Sequence, residues 1–270
     1  MSFSIEGKTA IITGGAEGIG LEVGLHFLEK GAKVMFADTD ETVLERELSE
    51  HIGENAQIFA GDLSKKLCRA NLLSAAIDAF DTIDILVNAD LHFAPSDPMD
   101  VKAANLDEGF EKNVLSTYKL SQLVARRFVK QVEHIEADEQ DNTPIGSIIN
   151  LSSIVASQTQ PKLSAFSISM AARDQMTRAF AVSFAEHRIR VNGISIGSVM
   201  TQAFQRRMNS EDDNRRELIA KTPLGRLATA NEVVETAQYL ASEASDFMTG
   251  HIVVLDGGRT LYDAASKPSW

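Results

Sequence analysis

The 270-residue sequence is poor in cysteine, tryptophan and proline: it has one cysteine (Cys68), one tryptophan and six prolines. A single cysteine excludes an intrachain disulfide and a metal site built on two thiolates, and we predict no metal centre. No apolar run approaches the ~18 residues of a membrane-spanning helix. Residues 1–8 also lack the plan of a secretory signal peptide. We therefore expect a cytoplasmic protein that does not enter a membrane.

Positive charge is scarce as well. The sequence has 26 Lys and Arg against 38 Asp and Glu, which gives a formal net charge of −12. An acidic surface repels phosphate backbones and anionic lipids, so we expect no nucleic acid and no membrane among the partners. Hydrophobic residues make up 44% of the chain, which is enough for one large core. We predict one domain over residues 1–262 and a loose tail at 263–270.

Short β-branched segments alternate with segments of helical periodicity. The run from Lys8 to Thr13 is typical of a buried parallel strand. The other predicted strands are Lys33 to Ala37, Gln57 to Ala60, Ile83 to Asn88, Gly146 to Leu151, Arg190 to Ile196 and Ile252 to Leu255. The predicted helices run from Ile19 to Gly31, Glu41 to Ile52, Ser64 to Phe80, Leu106 to Ile135, Ser164 to His187 and Asn231 to Ala241, and the acidic segment 133–144 is predicted to be solvated. This alternation predicts an α/β fold with a single doubly wound, Rossmann-like parallel sheet and helices on both faces.

Glycines are concentrated between the first strand and the first helix, in the segment Thr13-Gly14-Gly15-Ala16-Glu17-Gly18-Ile19-Gly20. Glycine allows a backbone to approach a pyrophosphate, whose charge is favoured at a helix N-terminus. Asp38 lies 18 residues after Gly20, where a carboxylate can accept hydrogen bonds from ribose hydroxyls. The same carboxylate repels the 2′-phosphate of NADP, and Glu17 supplies no cation to bind it. The pattern predicts NAD(H) as a partner, with NAD preferred over NADP.

Further motifs follow in order along nearly the whole chain. They are Gly61-Asp62-Leu63, Glu111-Lys112-Asn113-Val114, Ile149-Asn150-Leu151-Ser152-Ser153, Arg190-Val191-Asn192-Gly193-Ile194-Ser195, Leu224-Gly225-Arg226-Leu227, Thr249-Gly250 and Leu255-Asp256-Gly257-Gly258. Together with the glycine turn, they resemble the short-chain dehydrogenase/reductase family. The resemblance implies an NAD(P)-binding Rossmann fold and hydride transfer between the cofactor and an alcohol or ketone.

The resemblance also assigns site residues. Those implied to contact the cofactor are Gly14, Ala16, Glu17, Gly18, Ile19, Gly20, Asp38, Asp62, Leu63, Asn88, Gly197, Val199 and Thr201. Ser153 and Asn113 stand at two of the family's catalytic positions. No substrate is implied, because the substrate loop, here about 201–222, varies freely within the family.

The family's catalytic tyrosine and lysine are absent from their positions. Counting 13 residues from Ser153 leads to Phe166, and four more lead to Met170. Phenylalanine has no proton to donate and methionine has no charge to lower a partner's pKa. Loss of a positioned acid/base group costs ~10²–10⁴ in rate. Two more departures lie nearby, where Asn88-Ala89-Asp90-Leu91 replaces Asn-Asn-Ala-Gly and Ile196-Gly197 replaces Pro-Gly.

Two residues are candidates to compensate for the lost pair. His92 follows the fourth strand, where an imidazole can transfer protons near neutral pH, and the alternative is a solvated loop histidine. Arg173 lies three residues after Met170 and can place a cation near the cofactor ribose, but we expect it to be an exposed or interface charge. Arginine cannot act as a general acid because it is permanently protonated.

Three hypotheses follow for the function. The leading one is an NAD(H)-binding homologue with little or no ordinary dehydrogenase activity that serves as a regulatory or structural subunit, and this hypothesis includes a hetero-oligomer with an active paralogue. The second is an active NAD-dependent oxidoreductase of a small alcohol or ketone, in which His92 or a bound water supplies the proton. The third is a nucleotide sensor or a scaffold.

The helix predicted at 164–187 bears on assembly. Its apolar residues exceed what one face of a sheet needs, namely Phe166, Met170, Met176, Phe180 and Phe184. In the family, the helices near 106–135 and 164–187 and the last strand form subunit interfaces. We therefore predict a homodimer or a homotetramer.

Overall fold

A seven-stranded parallel sheet forms the centre of the computed structural model, which describes residues 2–93, 95–100, 105–133, 143–201 and 212–261. Its strands are β1 (Thr9–Thr13), β2 (Lys33–Asp38), β3 (Ala56–Ala60), β4 (Ile85–Asn88), β5 (Gly146–Ser153), β6 (Ile189–Ile196) and β9 (Ile252–Leu255). The order in the sheet is β3-β2-β1-β4-β5-β6-β9. Two short strands, β7 (Val199–Met200) and β8 (Ala228–Thr229), pair separately. This topology confirms the predicted Rossmann-like α/β fold.

Helices cover both faces of the sheet. They are α1 (Gly18–Glu29), α2 (Glu41–Leu48), α3 (Lys66–Phe80), α4 (Asn105–Phe110), α5 (Thr117–Val132), α6 (Ser164–Phe184), α7 (Asp212–Ala220) and α8 (Ala230–Ala241). Alternate residues of a strand belong to different cores: Ile12 packs on the side of α1 and α8, whereas Ile11 packs on the side of α3, α5 and α6. Because both faces are covered, β1 is buried at every position.

The helix predicted from Leu106 to Ile135 is not continuous. A six-residue π-helical segment, Glu111–Ser116, separates α4 from α5. The hydrophobic periodicity of the sequence did not indicate this segment. Such π-helical turns are frequent at functional sites. It contains Asn113. Another difference is that α2 ends at Leu48, before the predicted Ile52.

Parts of three predicted segments lie outside the described residues. They are 134–142 of the acidic segment, 202–211 of the substrate loop, and 262–270, which include the predicted tail. Within the part of the chain that is described, no helix combines the length and the apolar character needed to cross a membrane.

The apolar residues of α6 do not form the surplus that the sequence predicted. Phe166, Met170, Met176 and Phe180 are all buried within the single chain. Phe184 is half-buried and stacks on Phe180 with ring centroids 4.7 Å apart. These residues pack against the sheet and against neighbouring helices, so the reason given for an interface was wrong.

Candidate active site

A crevice opens at the carboxyl ends of β1 and β4, where the chain direction across the sheet reverses. From β1 the chain crosses to β2, whereas from β4 it crosses to β5 on the other side. In open α/β sheets, ligands bind in the crevice at such a switch point. The two strand ends lie close together, since a Cβ on Gly14 would lie 2.9 Å from the Cα of Asp90. Any larger residue at position 14 would push these two loops apart.

Two adjoining cavities occupy the crevice. The larger, of about 880 Å³, extends from the glycine turn to the end of β5. Predicted site residues on its wall are Gly14, Ala16, Glu17, Gly18, Ile19, Asp38, Ser153, Phe166, Gly197, Val199 and Thr201. The smaller, of about 310 Å³, is lined by the predicted residues Gly14, Asp38, Asp62, Leu63 and His92.

The glycine turn leaves room for a ligand beside the start of α1. Gly18 has φ +65°, and a Cβ added there would meet no atom within 4 Å, so the space beside it is open. The side chain of Glu17, the N-cap residue of α1, makes no capping hydrogen bond. The N–H groups of the first turn are therefore left for an anion. Gly20 is required for packing, because a Cβ there would collide with the carbonyl oxygen of Gly14.

Asp38 fastens the glycine turn to the end of β2. Its Oδ2 accepts a hydrogen bond from the Ala16 N–H at 3.0 Å, and its Oδ1 accepts one from the Thr39 N–H at 2.6 Å. An ionised carboxylate has about four acceptor sites. Oδ1 also receives longer contacts of 3.4 Å from Thr39 Oγ1 and the Asp40 N–H, so the acceptor site that remains for a ribose hydroxyl is on Oδ2. The side chain faces both cavities.

The wall of the smaller cavity is held by a buried arginine that the sequence analysis did not single out. Nη1 of Arg69 donates to the carbonyl oxygens of Leu63, at 2.5 Å, and Ser64, at 2.8 Å. Asp62 accepts a hydrogen bond from the Ser64 N–H at 2.9 Å. Hydrogen bonding to Ser64 is the main cause that lowers the pKa of Asp62, so this carboxylate is ionised at neutral pH.

Gly197, Val199 and Thr201 close the larger cavity on the side of β6. The Gly197 N–H donates to the carbonyl oxygen of Leu255 at 2.9 Å, which ties the loop after β6 to the end of β9. Val199 lies in β7 and pairs with Ala228 of β8. The sequence-predicted residues of this loop thus face the glycine turn across the cavity.

An apolar surface lies beside Ser153. Ser153 ends β5, and its Oγ accepts a long hydrogen bond of 3.5 Å from the Val155 N–H. The ring of Phe166 lines the same cavity and meets the ring of Phe93 edge-on, with centroids 5.2 Å apart. Met170 lies behind it, fully buried against Val155 and Phe166. Positions 166 and 170 therefore contribute packing and no titratable group.

Four predicted site residues line neither of the two cavities. Asn88 and Asn113 are buried, Gly20 packs under the turn, and Met170 lies behind Phe166. The Asn113 amide is fully engaged: its Nδ2 donates to the His92 carbonyl oxygen and to Ser169 Oγ, and its Oδ1 accepts from the His92 N–H at 2.7 Å. Asn113 thus holds the loop after β4 in place and has no hydrogen left to donate to a substrate.

His92 faces the smaller cavity, away from Ser153. Its Nε2 lies 3.6 Å from Oε1 of Glu108. The structure therefore does not bring His92 to the wall that Ser153 and Phe166 share. Among the described residues, no three side chains of His, Cys, Asp or Glu converge as metal ligands.

Arg173 is not the exposed or interface charge that the sequence predicted. It is fully buried, and its guanidinium donates to the carbonyl oxygens of Asn88 (2.6 Å, from Nη2) and Asp90 (2.8 Å, from Nη1). Burial lowers the pKa of Arg173 to about 10, so the side chain is still cationic at neutral pH. Because α6 packs over the end of β4, the side chain reaches those carbonyls without meeting solvent. It clamps the loop that carries Asp90.

Comparison with known proteins agrees with this geometry. The family model described as enoyl-(acyl carrier protein) reductase matches residues 14–260. L-fucose dehydrogenase of Mus musculus is 32% identical over 262 residues, covering 94% of this chain and 89% of that protein. The chain belongs to the short-chain dehydrogenase/reductase family. A second relative, 2-dehydro-3-deoxy-D-gluconate 5-dehydrogenase of Dickeya dadantii, is 29% identical and covers 95% of this chain and 97% of that protein.

A solved structure in this family shares the fold closely. It is a 7α-hydroxysteroid dehydrogenase complexed with NADH and 7-oxo glycochenodeoxycholic acid. The TM-score is 0.84 at 28% identity, covering 95% of this chain and 96% of that one. Membership of the short-chain dehydrogenase/reductase family, predicted from the motifs, is thereby confirmed.

These relatives correct the leading hypothesis of a homologue with little or no dehydrogenase activity. They match over nearly the full chain and are named as dehydrogenases, which favours an active oxidoreductase over a regulatory subunit, a sensor or a scaffold. The prediction gave too much weight to Phe166 and Met170. Their presence removes one proton donor, but titratable groups still line the cavity that Ser153 shares with the glycine turn.

Proposed function

We propose that the protein is an NAD-dependent oxidoreductase that interconverts a small alcohol and the corresponding ketone or aldehyde. The observation that carries this proposal is the single cavity joining the glycine turn, Asp38 and Ser153. NAD(H), when bound, supplies or accepts the hydride. The open space beside Gly18 and the uncapped start of α1 fit its pyrophosphate.

Different residues along the crevice bind different parts of the cofactor and the substrate. Asp38 accepts hydrogen bonds from the adenosine ribose, and Asp62 and Leu63 border the adenine side. Gly197, Val199 and Thr201 close the opposite end. Ser153 hydrogen-bonds the oxygen of the substrate and orients it. Phe166 and Met170 occupy the family's tyrosine and lysine positions, so the proton has to come from another group.

The first experiment is a turnover assay with NAD⁺ and alcohols, and with NADH and ketones, followed by nicotinamide absorbance. The panel is taken from the relatives' named substrates: L-fucose, 2-dehydro-3-deoxy-D-gluconate and 7-hydroxysteroids. We expect turnover above the enzyme-free control with at least one compound. Ser153→Ala should lower kcat by ~10²–10³, since it removes a hydrogen-bond donor at the reacting oxygen. No turnover across a broad panel would contradict the proposal.

Cofactor preference gives a second prediction. NAD⁺ should bind more tightly than NADP⁺, because Asp38 with Glu17 and Asp40 makes this end of the larger cavity acidic. Asp38→Asn should reduce the ratio of the NADP⁺ dissociation constant to the NAD⁺ dissociation constant by about tenfold, since one carboxylate charge is lost while an acceptor oxygen is kept. Isothermal titration calorimetry at low and high salt measures both constants. Tighter binding of NADP⁺ to the wild type would overturn the assignment.

Assembly gives a third prediction. We propose a homo-oligomer, a dimer or a tetramer, that covers the exposed apolar residues Leu115, Tyr118 and Val182. Tyr118 packs on Phe180 with ring centroids 4.7 Å apart, so α5 and α6 present one surface. Light scattering at micromolar concentration should give a multiple of the chain mass. Val182→Asp should lower the measured mass towards that of one chain. Thr39→Asp, which changes an exposed residue away from α5 and α6, should leave the mass unchanged.

A further inference from the structure

We propose that Asp90 is the acid/base residue of this site and supplies the proton that the family's tyrosine supplies elsewhere. The proposal rests on the proposed function. In the reducing direction, the carboxyl of Asp90 gives its proton to the substrate oxygen while the carbonyl carbon receives the hydride from NADH. The products are the alcohol, NAD⁺ and the Asp90 carboxylate, which regains a proton from water. In the oxidising direction, the carboxylate accepts the alcohol proton.

The choice of Asp90 follows first from the cavity wall. Within the described residues, the titratable side chains that line the larger cavity are Glu17, Asp38, Asp40, Asp90 and Arg259. Arg259 is permanently protonated and cannot serve as an acid. His92 lines only the smaller cavity. Four carboxylates remain.

Strand order separates these carboxylates. Asp38 and Asp40 follow β2, which is separated from β5 by β1 and β4, and Glu17 follows β1, which is separated from β5 by β4. Neighbouring strands lie ~4.8 Å apart. Asp90 follows β4, the direct neighbour of β5. Asn88 of β4 pairs with Asn150 of β5, so Asp90, two residues further on, leaves the sheet almost level with Ser153.

The residues after Asp90 place its loop against the former tyrosine position. Leu91 packs on the cluster of Val155, Phe166 and Met170, and Phe93 meets the ring of Phe166. On its other side, the backbone of Asp90 lies against Gly14 of the glycine turn. Asp90 therefore stands between the cofactor turn and the apolar wall beside Ser153.

Arg173 is the positioning residue for this loop. Its two hydrogen bonds to the carbonyl oxygens of Asn88 and Asp90 fix the backbone from which the carboxyl projects. The carboxyl itself is exposed to the cavity and accepts no hydrogen bond from any described residue. Arg173 thus holds the backbone of Asp90 and leaves both oxygens of its carboxyl without a hydrogen bond from the described part of the chain.

The surroundings of the carboxyl also suit proton transfer. The charged groups that act on it are Arg173 of α6, Asp38 at the end of β2, His92 of the same loop and Lys112 of the π-helical segment. Desolvation raises the pKa of Asp90, and Asp38 adds to this, while Arg173, His92 and Lys112 oppose it. The raised pKa lengthens the pH range in which the proton is available for reduction.

The test compares the wild type, Asp90→Asn and Asp107→Asn, a matched loss of one carboxylate on the exposed face of α4. With the panel compound that turns over best, Asp90→Asn should lower kcat by ~10²–10⁴. The Kd of NADH should stay within about threefold, and Asp107→Asn should match the wild type. In the wild type, kcat for reduction should fall as pH rises through the pKa of the acid, and Asp90→Asn should lack this decrease.

A measurement without turnover completes the test. NMR of ¹³C-labelled aspartate, assigned from the Asp90→Asn spectrum, should give Asp90 a pKa above its ordinary value in the ligand-free protein. Asp90→Glu should keep the pH profile at reduced kcat. Full activity of Asp90→Asn, loss of NADH binding together with kcat, or an Asp90 pKa at or below its ordinary value would each overturn the role of Asp90 while leaving the proposed function standing. If His92→Asn loses activity while Asp90→Asn keeps it, the proton donor is His92. If the wild type itself shows no activity, the proposed function is overturned.

Discussion

Replacing Arg173 with methionine should lower the free energy of unfolding by about 2–6 kcal/mol, because two backbone carbonyl oxygens each lose a charged hydrogen-bond donor. The guanidinium is fully buried and donates to two backbone carbonyl oxygens. Those carbonyls cannot be removed by mutation of a side chain, so they would stay buried with a donor lost, at ~1–3 kcal/mol each. Urea denaturation followed by circular dichroism measures the change.

Arg178→Met is the matched control for this experiment. Arg178 lies on the exposed side of the same helix, makes a 3.5 Å hydrogen bond with Gln175 and attracts the carboxylate of Asp174. Because these interactions are solvent-exposed or long, Arg178→Met should change the free energy of unfolding by no more than ~0.5 kcal/mol. The loss of stability in Arg173→Lys should lie between those of Arg173→Met and Arg178→Met, because one ammonium group cannot reproduce the planar guanidinium that contacts both carbonyls. Equal free energies of unfolding for Arg173→Met and Arg178→Met would show that the two hydrogen bonds of Arg173 contribute nothing to stability.

The motifs predicted the fold well, and most of the residues they assigned to the cofactor side lie in one crevice, for a physical reason. Gly14, Gly18 and Asp38 act through local backbone geometry and through the end of one strand, which a sequence pattern records directly. A glycine where no Cβ fits, and an acid at the end of the second strand, are needed whatever packs around them. Strand bounds were accurate within two residues because buried parallel strands are continuous apolar runs.

What the sequence did not predict depends on contacts between distant segments. Arg173 was expected at the surface because a lone arginine on a helix usually is exposed, and its acceptors are backbone carbonyls 83 and 85 residues away, which have no residue signature. Asp90 was noted only as a departure from the family's pattern. Its place on the cavity wall that it shares with Ser153 depends on the pairing of β4 with β5. Hydrophobic spacing did not indicate the π-helical segment at Asn113.

Two of the buried arginines hold the loops that form the crevice. Arg69 clamps the loop after β3 and Arg173 clamps the loop after β4, each through backbone carbonyls. At the two positions of α6 where the family resemblance implies a tyrosine and a lysine, Phe166 and Met170 form apolar packing. Arg173 of the same helix is buried and holds the loop of Asp90. The acidic side chain of that loop, at the end of β4, lines the cavity beside this apolar packing.

Met170→Lys, which restores the family's residue, should destabilise the protein strongly. Met170 is fully buried against Val155 and Phe166, and Arg173 lies one helical turn away on the same face. An ammonium group there is desolvated and faces a like charge, so we expect the free energy of unfolding to fall by at least ~3 kcal/mol at pH 7. Met170→Leu, a change of similar volume, should cost less than ~1.5 kcal/mol.

The pH dependence identifies the cause of this loss. Burial should lower the pKa of the introduced lysine in the folded protein, whereas in the unfolded chain it stays near ~10.4. Between these two values the unfolded state binds more protons, so the stability of Met170→Lys should rise with pH across this window, by up to ~1.4 kcal/mol per pH unit. Urea denaturation at several pH values from neutral to alkaline should show the deficit shrinking, with no such trend for Met170→Leu. A Met170→Lys protein as stable as the wild type at neutral pH would contradict this expectation and would mean that the ammonium finds an acidic partner, for which Asp174, one turn further along α6, is the candidate on the same helix face.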